Sequence, residues 1–206
     1  MKTKCITIAV LSTLLVAGFN ASVASASLVT YHGMGLRDKV KIHADGAMGD
    51  GMTVYAGQML ISYEGVDYEA YCVDLDHYAG SSQVIEVDVY DLVNGDDLAY
   101  LAETFAGDVT TKLEAAALQV AIWEVLTEDT GTFDATSGHF SISRNPDVAW
   151  EANVLLAALP DSFQGEAQVI ILDSVIKQDL LIVPDASTLI LVAAGIPVLL
   201  RRRRGI

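Results

Sequence analysis

The chain has 206 residues, 52 % of them hydrophobic, with 27 acidic and 12 basic side chains and a formal charge of −15. Half of the basic residues, Lys2, Lys4, Arg201, Arg202, Arg203 and Arg204, sit at the two ends; without them six basic residues stand against 27 acidic ones, a formal charge of −21. A body that acidic repels nucleic acid, which excludes it as a partner, and repels anionic membrane surfaces; its roughly 155 residues suffice for one domain with a real core.

At the N-terminus, Lys2 and Lys4 precede an apolar stretch from Ile6 to Phe19 and a run of small residues ending Ala24-Ser25-Ala26. That pattern predicts a secretory signal peptide over 1–26, cleaved after Ala26, which leaves 27–183 as the body of the protein. Cys5 leaves with the peptide. Cys72 is then a single cysteine in an oxidising compartment, where cysteines normally pair, and an odd one needs an explanation.

Residues 28 to 53 are rich in Gly, His and Asp, lack a sustained period, and predict loops with one short strand around Val40 to Ile42. Two strand-like runs, TVYAGQMLISY and VDYEAYCVDL, flank Glu64-Gly65, a connection of hairpin type. In the second run Val66, Tyr68, Ala70 and Cys72 fall on one face. SQVIEVDVYDL alternates as a third strand, and GDDLAYLAETFAG takes a helical period. The next helix opens with Thr111 and Glu114 in the capping-box relation and continues through EAAALQVAIWEVL, apolar on nearly every side except at Gln119. A buried carboxamide needs partners for its donors and acceptor, so Gln119 must be bonded, exposed or chemically used. A polar loop with room for a short hairpin follows, then the helix VAWEANVLLAAL stopped by Pro160, then two closing strands, AQVIILDSV and QDLLIVP. The order predicts an α+β domain built on an antiparallel sheet or barrel with an inserted helical segment.

After this body, 184–206 begins Pro184-Asp185-Ala186, continues as an apolar run to Leu200 and ends in Arg201, Arg202, Arg203 and Arg204. The run reaches only about 22 Å as a helix, short of a hydrocarbon core of about 30 Å, but terminal arginines suit a stop-transfer anchor whose preceding domain lies outside. This order resembles the PEP-CTERM sorting signal of diderm bacteria. The resemblance implies transient anchoring in the inner membrane, processing by an exosortase-type enzyme, and delivery to the cell surface or extracellular matrix. The Pro-Glu-Pro box of that family is altered here, its glutamate shortened to Asp185 and its second proline replaced by Ala186.

Two motifs carry the chemistry: Tyr71-Cys72-Val73 on a strand and Leu118-Gln119-Val120-Ala121-Ile122-Trp123 on a helix. Together they resemble the thioester domains of bacterial surface adhesins, whose signature is aromatic-Cys-aliphatic followed by aliphatic-Gln-x-x-aliphatic-Trp. A weaker family element, aliphatic-Gln-x-x-aliphatic, has a counterpart at Ala167 to Ile171. The resemblance implies an internal Cys72–Gln119 thioester, supported by Tyr71, Val73, Leu118, Ile122 and Trp123, that couples covalently to an amine or hydroxyl on a target surface or exopolysaccharide. Such a protein reacts once and is not a turnover enzyme.

Three other functions compete. A secreted cysteine hydrolase would use Cys72 with His77 or His139 as base, but a mid-strand cysteine lacks the helix-start setting that activates such thiols. A calcium site is suggested by HADGAMGDGM and VNGDD, yet neither fits the D-x-[DN]-x-[DN]-G loop and both are explained by turn chemistry, so no metal and no cofactor is expected. An inert exported matrix protein needs only that Cys72 and Gln119 be ordinary core residues.

Overall fold

A computed structural model of the chain describes residues 26–47, 50–128, 132–163 and 168–184. The signal peptide through Ser25, and Asp185, Ala186, Arg201, Arg202, Arg203 and Arg204 of the sorting signal, lie outside the described residues. Among the described residues no helix is long and apolar enough to cross a membrane.

The fold is α+β, with seven antiparallel strands and three inserted helices. In chain order these are β1 (Ser27–Ala44), β2 (Thr53–Tyr63), β3 (Val66–Cys72), β4 (Ser82–Asp88), α1 (Gly95–Phe105), α2 (Lys112–Thr127), β5 (Phe140–Ile142), α3 (Pro146–Ala157), β6 (Ile170–Asp173) and β7 (Leu180–Ile182). The strand order is β2-β3-β7-β6-β4-β1-β5, and β1 also pairs with β2, so six strands close a ring while β5 extends it beside the end of β1. Closure removes the edges that an open sheet would present to other chains. The β2–β3 hairpin turns at Glu64 and Gly65, both with positive φ (51° and 81°), the backbone a type I′ turn requires.

The largest departure from the sequence expectation is β1. Residues 28 to 53 were expected to be loops around a short strand at Val40 to Ile42, but 18 residues form one strand paired with β2, β4 and β5. Bulges between Tyr31 and Gly33 and between Met34 and Arg37 shift the register twice, and each shift breaks the period-two pattern that marks a strand. β4 is shorter than expected, because the Asp88 carboxylate accepts from Tyr90 N and caps a 3₁₀ turn at Val89–Asp91. The closing strands shrink to β6 and β7, and among the described residues of the polar loop the one strand is β5, whose partner is β1.

Helix α2 is buried from Ala115 to Val125, packed on β1, β2, β3 and β5 and against α1 and α3. That enclosure explains a helix apolar all round. Leu118, Val120, Ile122 and Val125 are fully buried, each contributing about 1.5–3 kcal/mol. The helix starts where the capping box sets it: Glu114 N donates to Thr111 Oγ1 at 3.2 Å, and Thr111 N to the Glu114 carboxylate at 2.9 Å. Thr111→Ala orphans the Glu114 amide and should cost about 1 kcal/mol, read as a lower urea midpoint with an unchanged slope.

Candidate functional site

β3 delivers Cys72 and α2 delivers Gln119 to one point in the core, 2 % and 1 % exposed. Cys72 N donates to Gln119 Oε1 at 2.9 Å, and Gln119 Nε2 donates to Cys72 O at 2.8 Å, joining positions 47 residues apart. The pairing of β2 with β3 ends at Met59 and Ala70. Beyond that point the carboxamide offers the main chain of Cys72 the donor and acceptor that a neighbouring strand would supply, so both the oxygen and the nitrogen of the polar residue in the middle of α2 have a partner.

The Cys72 sulfur has partners of its own. Its thiol donates to Asp74 O at 2.6 Å and accepts from Asp74 N at 3.3 Å. Burial pushes this thiol up to about 12; the Asp74 main chain and the Trp123 indole pull it back, while the Asp74 and Asp179 charges push it further up. Neither His77 nor His139 is among the partners of the sulfur. His77 Nδ1 lies 2.7 Å from Asp74 Oδ2, and His139 Nδ1 lies 3.2 Å from Asp45 Oδ2. Burial therefore keeps the thiol protonated, and the activating imidazole that a cysteine hydrolase needs is not among its hydrogen-bond partners in the described residues.

The supporting residues of the two motifs gather round the pair. Tyr71, Leu118 and Ile122 are buried, as is Trp123, whose ring packs on Phe140 at 6.1 Å between centroids. The Trp123 indole N–H and the Tyr71 hydroxyl are buried without a hydrogen-bond partner among the described residues. The indole beside Cys72 favours negative charge on the sulfur. Val73 is half-buried and its N–H donates to Asp179 O at 3.0 Å, which ties the residue after Cys72 to the start of β7.

A cavity of about 620 Å³ adjoins the site, with Val73, Asp74, His77, Leu126, Trp123 and Asp179 in its wall. Cys72 and Gln119 do not line it, so the pair sits one residue behind that wall. Comparison with known proteins finds no match. No family model, no curated protein and no solved structure matches this chain.

Asp74 and Asp179 escaped the sequence analysis, although the acidic run Asp74-Leu75-Asp76-His77 directly after Tyr71-Cys72-Val73 was a visible signal. Burial pushes Asp179 up to about 6, partly offset by Ser174 N donating to it at 2.7 Å. Hydrogen bonding to Asp74 raises His77 above its usual value. Gln168 of the weaker third motif is exposed, its N–H bonded to the Glu103 carboxylate, and it takes no part in the site. Pro184 is buried at the end of the described chain. Among the described residues no group of three His, Cys, Asp or Glu side chains is arranged to hold a metal ion.

Proposed function

We propose that this protein forms an internal thioester between Cys72 and Gln119 and spends it once, acylating an amine or hydroxyl on a target surface or exopolysaccharide. The observation that carries the proposal is the seating of the Gln119 carboxamide on the main chain of the one cysteine in the body. Sulfur adds to Gln119 Cδ; the charge developing on Oε1 meets the Cys72 N–H already 2.9 Å away; the C–N bond breaks, and nitrogen leaves as ammonia with the thiol proton. Burial that disfavours the thiolate does not penalise a neutral thioester, and it keeps water from the acyl carbon. When a nucleophile opens the bond, the Trp123 N–H can stabilise the departing sulfur.

The proposal includes the route out of the cell: a signal peptide over 1–26, transient inner-membrane anchoring through 184–206, and exosortase-type processing at Pro184-Asp185-Ala186. One observation favours a second reading. The two hydrogen bonds that seat Gln119 also satisfy the main chain of Cys72, which is all that an inert exported matrix protein requires of a residue pinning strand to helix. Intact mass separates the two. Whatever ends the purified chain carries, thioester formation makes it one ammonia lighter than those ends predict, and Cys72→Ala or Gln119→Ala restores the full mass. Full mass with a titratable thiol on unfolding would leave only the inert protein.

A further inference from the structure

Of the six basic residues of the body, three stand together on one strand. Arg37, Lys39 and Lys41 occupy alternate positions of β1 and share one face of the strand, opposite the buried Val40 and Ile42. Lys39 is the cross-strand partner of Tyr55 on β2. The Tyr55 ring, 48 % exposed, carries the Arg37 guanidinium at 4.9 Å and the Lys39 ammonium at 5.1 Å from its centroid. Arg37 is also anchored from behind, its Nη1 donating to Met34 O at 3.0 Å and Gly35 O at 3.2 Å. The bulge before Arg37 needs Gly57 opposite it, where a Cβ would run into the Leu36 carbonyl oxygen and the Arg37 backbone.

None of these three cations has a carboxylate within 4.0 Å among the described residues; the ion pairs there are made by histidines. In a chain with 27 acidic residues, three adjacent unpaired cations braced by an aromatic ring form a surface of opposite sign to the rest. We propose that this face of β1 and β2 is a docking strip for a linear anionic polysaccharide, its carboxylate or sulfate groups meeting Arg37, Lys39 and Lys41 in turn. Along a strand the three charges span roughly 13 Å, a strip one polymer chain wide. A duplex nucleic acid is broader than the strip and meets the surrounding negative charge. Single-stranded nucleic acid needs an open aromatic face for base stacking, and the cations already occupy the Tyr55 ring. A second copy of this chain brings its own strong negative charge, which three cations do not offset. No residue of the strip is a hydrogen-bond partner of Cys72 or Gln119, so the inference holds whether or not a thioester forms.

The test passes the full-length protein over immobilised polygalacturonate and dextran sulfate at low salt, with neutral dextran as blank. Retention on either polyanion, lost on adding salt, supports the strip, and which one retains it assigns carboxylate or sulfate. Lys39→Gln with Lys41→Gln, both on the solvent face, should weaken binding about tenfold, while Lys112→Gln on α2 leaves it unchanged. No retention on either polymer, undiminished binding by the double variant, or equal loss in Lys112→Gln would overturn the proposal. So would tighter binding to a single-stranded oligonucleotide, or a dimer that only the double variant dissociates.

Discussion

Methylamine should add once to the native protein, as an amide at Gln119, and liberate one thiol at Cys72. The amine nitrogen attacks Cδ of the thioester, the C–N bond forms, the C–S bond breaks, and sulfur leaves with the proton that nitrogen gives up. The acyl group belongs to glutamine, so the adduct must map there. The response is all or none, because an ordinary carboxamide does not react with a dilute amine, and Cys72→Ala or Gln119→Ala should abolish it. Peptide mapping and thiol titration after amine treatment measure both products. A hydrolase behaves otherwise: substrate acylates Cys72, turnover repeats, and activity falls with His77→Ala or His139→Ala while Gln119→Ala keeps it. An adduct at any residue but Gln119 would refute the assignment of roles even if mass spectrometry shows a missing ammonia.

The site and the fold were legible to different degrees, for physical reasons. The hairpin at Glu64-Gly65 and the capping box at Thr111 and Glu114 are local devices whose residues specify their own geometry, and both stand where the sequence places them. Cys72 and Gln119 were singled out by motif, and the structure brings them into hydrogen-bond contact. β1 was not legible, because two bulges reset the alternation of a strand whose partners, β2, β4 and β5, are spread along the chain. Which strands pair depends on distant residues, and local periodicity does not record it. The same holds for Asp179, which reaches Val73 through its carbonyl and Ser174 through its carboxylate only because β7 lies beside β3.

Glu124→Gln should stabilise the protein at pH 8 and change it little at pH 5. Glu124 follows Trp123 on α2 and is fully buried; its Oε1 accepts from Asp134 N at 2.6 Å, while Oε2 has no partner among the described residues. Burial pushes this carboxyl up to about 7 from 4.5; the Asp134 N–H pulls it down, and the charges of Glu128 and Asp134 push it up again. The folded chain therefore holds a proton that the unfolded chain releases above 4.5, and stability falls as the pH rises from 4.5 to about 7. The total loss is on the order of 3 kcal/mol. Glutamine keeps an acceptor for Asp134 N and carries no charge, so the variant should gain roughly 1–3 kcal/mol at pH 8 by removing that penalty. Asp179, pushed up to about 6, contributes a slope of the same sign that remains, so the pH dependence shrinks without vanishing. Asp134 acts at the other end of the scale: hydrogen bonds from Thr136 and Asn153 hold it down at about 2, and its contribution is lost only as the pH falls below 3.8. Urea midpoints of both proteins at pH 5 and pH 8 decide the matter. A variant less stable than the parent at pH 8 would mean that the Glu124 charge is matched by a partner, and the burial argument would fail.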